Sequence, residues 1–168
     1  MMIFLIGFMG SGKTTLGKKL ARVMGYDFVD LDKVIETRAG QSIPDFFAKH
    51  GEEAFRALER DCLQTGLPAG NTVVATGGGA PCYYDNMEWM NRHGVTVYLM
   101  LEPKALASRL KGSADRPLIS GLSGAELLAY IEEKLALREP YYRKAAYWVE
   151  GLDLTAEKLA GYIRRAGT

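Results

Sequence analysis

The chain has 168 residues, 48% of them hydrophobic and 24% charged, enough to bury the core of one domain and too apolar for a disordered one. Its 21 basic and 20 acidic residues leave a formal net charge of +1, which excludes a broad basic field for nucleic acid or an anionic membrane. No apolar run approaches the roughly 20 residues that span a bilayer, and a strand signal from residue 2 leaves no room for a signal peptide, so a cytoplasmic protein is expected.

The first element is a strand, Met2-Ile3-Phe4-Leu5-Ile6, followed at once by Gly7-Phe8-Met9-Gly10-Ser11-Gly12-Lys13-Thr14. Thr15 and the helically spaced Leu16, Leu20 and Val23 come next. Strand, glycine-rich turn and helix together make the context of a phosphate-binding loop. Its glycines let backbone N–H groups turn inward around a triphosphate, and the helix start adds donors of its own. Lys13 is placed to reach the β- and γ-phosphates, and the Thr14 hydroxyl to ligate Mg²⁺. The chain is expected to bind a nucleotide.

Further strands are predicted at 26–29, 71–76, 95–100 and 147–149, alternating with helices at 51–65, 83–93, 103–110 and 124–138. A last helix carries Leu159, Ala160 and Ile163 on its apolar side. This alternation predicts a single α/β domain over residues 1–168, a five-stranded parallel sheet with helices on both faces. Ligands in such folds gather at the carboxyl ends of strands.

At the end of the second strand stand Asp30 and Asp32, whose alternate positions would share one face of an extended segment. One or both can serve the cation of a nucleotide; alternatively, Asp32 only caps a helix starting at Lys33. The third strand ends in Gly77-Gly78-Gly79, which reads either as a close approach to the main chain or as a tight turn before Pro81. Arg56 and Glu59 lie three apart on a predicted helix, opposite Phe55, Leu58 and Cys62, the spacing of a surface ion pair. Arg138 closes the stripe Leu128, Ile131, Leu135, with Pro140 then expected to stop the helix.

Residues 111–123, with glycines near each end and Arg116 between them, read as a mobile lid or as a plain surface loop. Cys62 and Cys82 are too far apart for a metal or redox motif, and Cys62 falls on an apolar helix face. His50 and His93 each precede a glycine, a helix-stop pattern that gives neither a site role.

Taken together, these segments resemble the shikimate kinases over nearly the whole chain. The matching pieces are Gly10 to Thr15, Asp30-Leu31-Asp32, Phe55-Arg56 with Glu59, Thr76 to Gly79, Arg116-Pro117-Leu118, and Leu137-Arg138 with Pro140-Tyr141-Tyr142. The loop alone is shared by many nucleotide binders, but the six motifs in this order are specific. The resemblance implies a phosphate-loop three-layer sandwich that moves the γ-phosphoryl of ATP to the 3-hydroxyl of shikimate. It also implies an ATP site of Gly10, Ser11, Gly12, Lys13, Thr14, Thr15, Arg109 and Arg116. Asp32, Arg56, Gly77, Gly78, Gly79 and Arg138 would then meet shikimate, with Thr14 and Asp30 at Mg²⁺ and with Lys13, Asp32 and Arg116 catalytic. A monomer with no nucleic-acid or membrane partner is expected.

One stretch departs from the family pattern. Val149-Glu150-Gly151-Leu152-Asp153-Leu154-Thr155 lacks the usual aspartate and threonine arrangement before the last helix, so the adenine contacts stay unassigned. The nearest rival is another small-molecule kinase of this scaffold, such as a gluconate kinase, which is not expected to combine the Arg56 motif, the glycine triplet and Arg138. A nucleotide switch is the rival from another class, and its guanine-reading Asn-Lys-x-Asp is missing. A binder without turnover is disfavoured by intact Lys13, Thr14 and Asp32.

Overall fold

A computed structural model describes residues 1–111 and 119–167. Five strands, β1 (Met2–Ile6), β2 (Asp27–Asp30), β3 (Thr72–Ala75), β4 (Gly94–Met100) and β5 (Tyr147–Glu150), form one sheet in the order β2-β3-β1-β4-β5. Every pairing is parallel. Side chains alternate across β1: Ile3 and Leu5 face one layer, Phe4 and Ile6 the other. The first layer holds α1 (Lys13–Met24) and α7 (Ala156–Ala166), packed through Leu20, Ala21, Leu159 and Ile163. The second holds α2 (Leu31–Ala39), α3 (Ile43–Thr65), α4 (Asn86–His93), α5 (Pro103–Leu110) and α6 (Gly124–Tyr142). Burial on both faces explains why the central strands β1, β3 and β4 read as nearly continuous apolar runs, whereas the edge strands β2 and β5 stay partly exposed.

Register sets the site. Leu5 and Asp30 both pair with Ala75, so β1, β2 and β3 end level with one another. The glycine-rich loop, the two aspartates and the glycine triplet therefore emerge side by side. β1 lies between β3 and β4, where the chain order reverses, the usual crevice for ligands in open α/β sheets.

Several helix bounds differ from the sequence expectation. α3 begins eight residues earlier than position 51 and kinks at Gly51, whose φ of 84° is non-helical. The His50–Gly51 signal thus bends a helix rather than ending one. α4 starts at Asn86, leaving Tyr83 and Tyr84 in the connection, and Tyr84 has a positive φ of 51°. α6 runs through Pro140 to Tyr142, because proline removes one N–H but later amides still bond, Arg143 N to Glu139 O at 2.9 Å. Its buried stripe is Leu127, Ile131, Leu135 and Tyr142, with Leu128 only half-buried.

Candidate active site

The loop between β1 and α1 has the conformation its sequence demands. Gly7, Gly10 and Gly12 adopt φ of 147°, 79° and 94°, a region that side chains rarely enter. Gly12 precedes α1 without any side-chain cap, which leaves the first amides of the helix for an anion. Lys13 is buried and donates from Nζ to the carbonyls of Gly7 at 2.6 Å and Phe8 at 2.9 Å, a geometry that holds its charge inside the turn. Across the loop, Arg109 from α5 donates to Gly10 O at 3.3 Å.

A cleft of about 410 Å³ opens in front of the loop. It is lined by Gly10, Gly12, Lys13, Thr14, Thr15, Asp30, Asp32, Gly77, Gly78 and Arg109 among others. The two aspartates reach it by a route the sequence did not suggest. Asp30 ends β2 and caps α2, its Oδ1 accepting from the Asp32 amide at 3.0 Å. Asp32 lies in the first helical turn, so it shares no strand face with Asp30 and is not itself the cap. Early helical carboxylates also suit the helix dipole.

Oxygen donors from Thr14 and Asp30 on one wall suit Mg²⁺, which takes one or two protein oxygens and completes its shell with phosphates and water. Among the described residues no group of three or more His, Cys, Asp or Glu side chains gathers. A phosphate-supported metal needs no such cluster.

The glycine triplet is a wall for three side chains. A Cβ on Gly77 would stand 3.1 Å from Asp32 Oδ1, one on Gly78 3.1 Å from Arg138 Nη1, and one on Gly79 2.6 Å from Arg56 Nη1 and Nη2. Close approach therefore accounts for the glycines. The turn reading holds as well, since Ala80 N bonds Gly77 O at 3.2 Å and opens a short 3-10 turn, Ala80–Cys82.

Arg56 and Glu59 are not a surface pair. Glu59 is 1% exposed and Arg56 12%, joined at 2.9 Å from Nη1 to Oε1. Burial raises the Glu59 carboxyl above its ordinary range, only partly opposed by the Arg56 charge. Burial also acts to lower Arg56, but Glu59 with Tyr83 and Glu52 carries it upward overall. The guanidinium lies 4.1 Å from the Tyr83 ring centre and 5.1 Å from that of Phe55. Arg138 approaches from α6, 5.5 Å over the Phe8 ring, and its charge is felt by Glu59. Buried Tyr142 donates to Gly78 O at 2.5 Å, so it meets the wall at the same glycine that Arg138 approaches, and the Arg138 charge bears on its hydroxyl.

Arg116 lies outside the described residues, as does most of the proposed 111–123 lid. Ser11 faces a neighbouring cleft of about 660 Å³ with Gly12, Thr15, Arg109, Gly151, Leu152, Leu154 and Thr155. The segment left unassigned from sequence thus lines the side of the loop away from the triplet. Size does not mark the site, since a cleft of about 710 Å³ along β5 and α7 is lined by none of the phosphate-loop, Asp30, Asp32, Arg56, glycine-triplet or Arg138 positions.

Sequence reasoning gave no role to Phe8, Tyr83 or Tyr142, and none to Glu59 beyond its pairing. Tyr142 was detectable as the residue one helical turn after Arg138. Tyr83 was not, because its part depends on a turn that brings it over another helix.

Sheet order, loop and flanking cations define a phosphate-loop phosphotransferase with room for a small anionic acceptor. The family model for shikimate kinase matches residues 9–166. A shikimate kinase of Parabacteroides distasonis is 48% identical over 94% of this chain and 88% of its own length. The crystal structure of shikimate kinase from Bacteroides thetaiotaomicron superposes with a TM-score of 0.90 at 41% identity, covering 98% of this chain and 97% of that one. Shikimate kinase from Acinetobacter baumannii, solved in complex with shikimate, gives 0.84 at 36% identity over 98% and 91%. The chain belongs to the shikimate kinase family.

Proposed function

We propose that this chain performs its family's reaction with the residues assembled above, transferring the γ-phosphoryl of ATP to the 3-hydroxyl of shikimate. One observation carries the assignment of roles: Arg56, Arg138 and Asp32 from three helices meet on one glycine wall beside the phosphate loop. Shikimate has a carboxylate at one end and hydroxyls at the other. Planar guanidinium groups match the carboxylate through parallel hydrogen bonds, and Asp32 accepts from a ring hydroxyl. Gly77, Gly78 and Gly79 let the substrate lie against backbone.

The phosphates lie on Gly10, Ser11, Gly12, Lys13, Thr14 and Thr15, with Arg109 toward the base and Arg116 assigned from the resemblance. Phosphoryl transfer passes through a loose transition state, so alignment and charge matter more than a strong base. Asp32 orients the hydroxyl and takes its proton late. Lys13 offsets charge on the transferring group. Thr14 and Asp30, the latter through water, would hold Mg²⁺, which supplies charge neutralisation across the phosphate oxygens. Action as a monomer is part of this proposal, and dependence on ATP fits the cytoplasm.

A coupled assay of ADP release tests the reading, with shikimate set beside gluconate and nucleoside monophosphates. Turnover with shikimate alone is expected; turnover with gluconate alone would replace the assignment by the rival small-molecule kinase.

A further inference from the structure

Arg56 is flanked by two carboxylates, and they are not equivalent. Glu59 is buried and bonds Nη1 at 2.9 Å. Glu52, one turn earlier on α3, is largely exposed and stands 3.6 Å from Nε, beyond hydrogen-bond reach. That same Glu52 oxygen, Oε1, accepts from the Tyr83 hydroxyl at 2.9 Å. Buried Arg56 Nε is left without a hydrogen-bond partner. Meanwhile the Tyr83 ring covers the guanidinium at 4.1 Å.

We propose that Tyr83 is a positioning residue for shikimate, fixing the Arg56 plane and keeping Glu52 at ion-pair distance, short of a hydrogen bond to Nε. The inference rests on the reading of Arg56 as a carboxylate clamp. A guanidinium hydrogen-bonded by two carboxylates would leave fewer N–H groups and a weaker positive field for an anionic substrate than one bonded by Glu59 alone. One carboxylate is needed to seat the side chain, and a second, closed onto Nε, would compete with the ligand. The tyrosine hydroxyl gives that second carboxylate another donor, and the ring supplies a π-face that a cation prefers. Tyr83 lies in the connection between the 3-10 turn and α4, so it reaches α3 from a separate segment and stiffens the clamp from outside.

The test uses the full-length enzyme with the substitutions Tyr83→Phe, Glu52→Gln and both together. Tyr83→Phe keeps the ring and removes only the hydroxyl. It is expected to raise KM for shikimate by about threefold to tenfold, as Glu52 closes onto Arg56. KM for ATP and kcat should shift by less than about twofold, a split that general loosening would not give. Adding Glu52→Gln should return KM for shikimate to within about twofold of the parent, because the competing charge is gone. Equal movement of both KM values, or no rescue by Glu52→Gln, overturns the proposal. A parent enzyme that fails to turn over shikimate overturns instead the functional reading beneath it, so the two failures are separable.

Discussion

Gly79 lies directly beneath the guanidinium of Arg56: a Cβ there would stand 2.6 Å from both Nη1 and Nη2. The backbone at this point, with φ of −88°, would accept any residue, so the constraint is space alone. Because the obstructed atoms end a long side chain, the cheapest response is for Arg56 to move. Gly79→Ala should therefore raise KM for shikimate by about tenfold or more, the scale of a small overpacking penalty. Thermal unfolding should stay within a few degrees of the parent. A large loss of stability with unchanged KM would mean that the glycine serves the turn instead.

Arg138 reaches the same wall one residue earlier, at Gly78, whose carbonyl is bonded by the Tyr142 hydroxyl. Arg138→Ala removes a charge partner and its packing over the Phe8 ring, and leaves the phosphate-cradling residues Gly10 to Thr15 in place. KM for shikimate should rise by about thirtyfold or more, with KM for ATP little changed. Steady-state kinetics in both substrates decides this. Parallel increases would place Arg138 in general architecture.

In the proposed reaction Lys13 meets the phosphoryl group as it gains charge in transfer. Lys13→Ala should lower kcat by roughly a hundredfold or more, comparable with removing one preorganised donor from a transition state. Single-turnover measurement at saturating ATP separates this from weakened nucleotide binding. Near-normal turnover would remove the lysine from the chemistry.

Glu59 makes a prediction about pH. Its carboxyl is raised above the usual range by burial, so the folded protein favours the protonated form more than the unfolded chain does. That contribution to stability is full below the unfolded carboxyl pKa, about 4.3, and is lost as pH rises through the higher folded value. Subtracting the urea-unfolding free energy of Glu59→Gln from that of the parent should give a difference that falls between mildly acidic and neutral pH. A difference that grows with pH would show the ion pair with Arg56 outweighing burial.

The strand sequence and the phosphate loop were legible because each follows from a local pattern, whereas Arg56 read locally as a surface ion pair and was drawn toward the substrate only by the family resemblance. Met2–Ile6 is an apolar run before a glycine turn, and the glycines at 7, 10 and 12 are required by positive φ. The triplet at 77–79 was readable as a close approach, but not which side chains it admitted. That depends on strand register and on three helices from separate segments. The placement of Glu59 was missed because an i, i+3 Arg–Glu pair looks the same on a surface or in a core. Helix bounds were misjudged at Gly51 and Pro140, where residues that usually end helices are overridden by continued packing of Phe55 and Tyr142 into the core.

Direct proof lies in the substrate's charge. The parent enzyme should use shikimate with kcat/KM about a hundredfold above that for its neutral methyl ester, since the ester leaves both guanidinium groups without their anionic partner. In Arg138→Ala that preference should shrink to within about tenfold. Equal use of acid and ester by the parent would contradict a carboxylate clamp at Arg56 and Arg138.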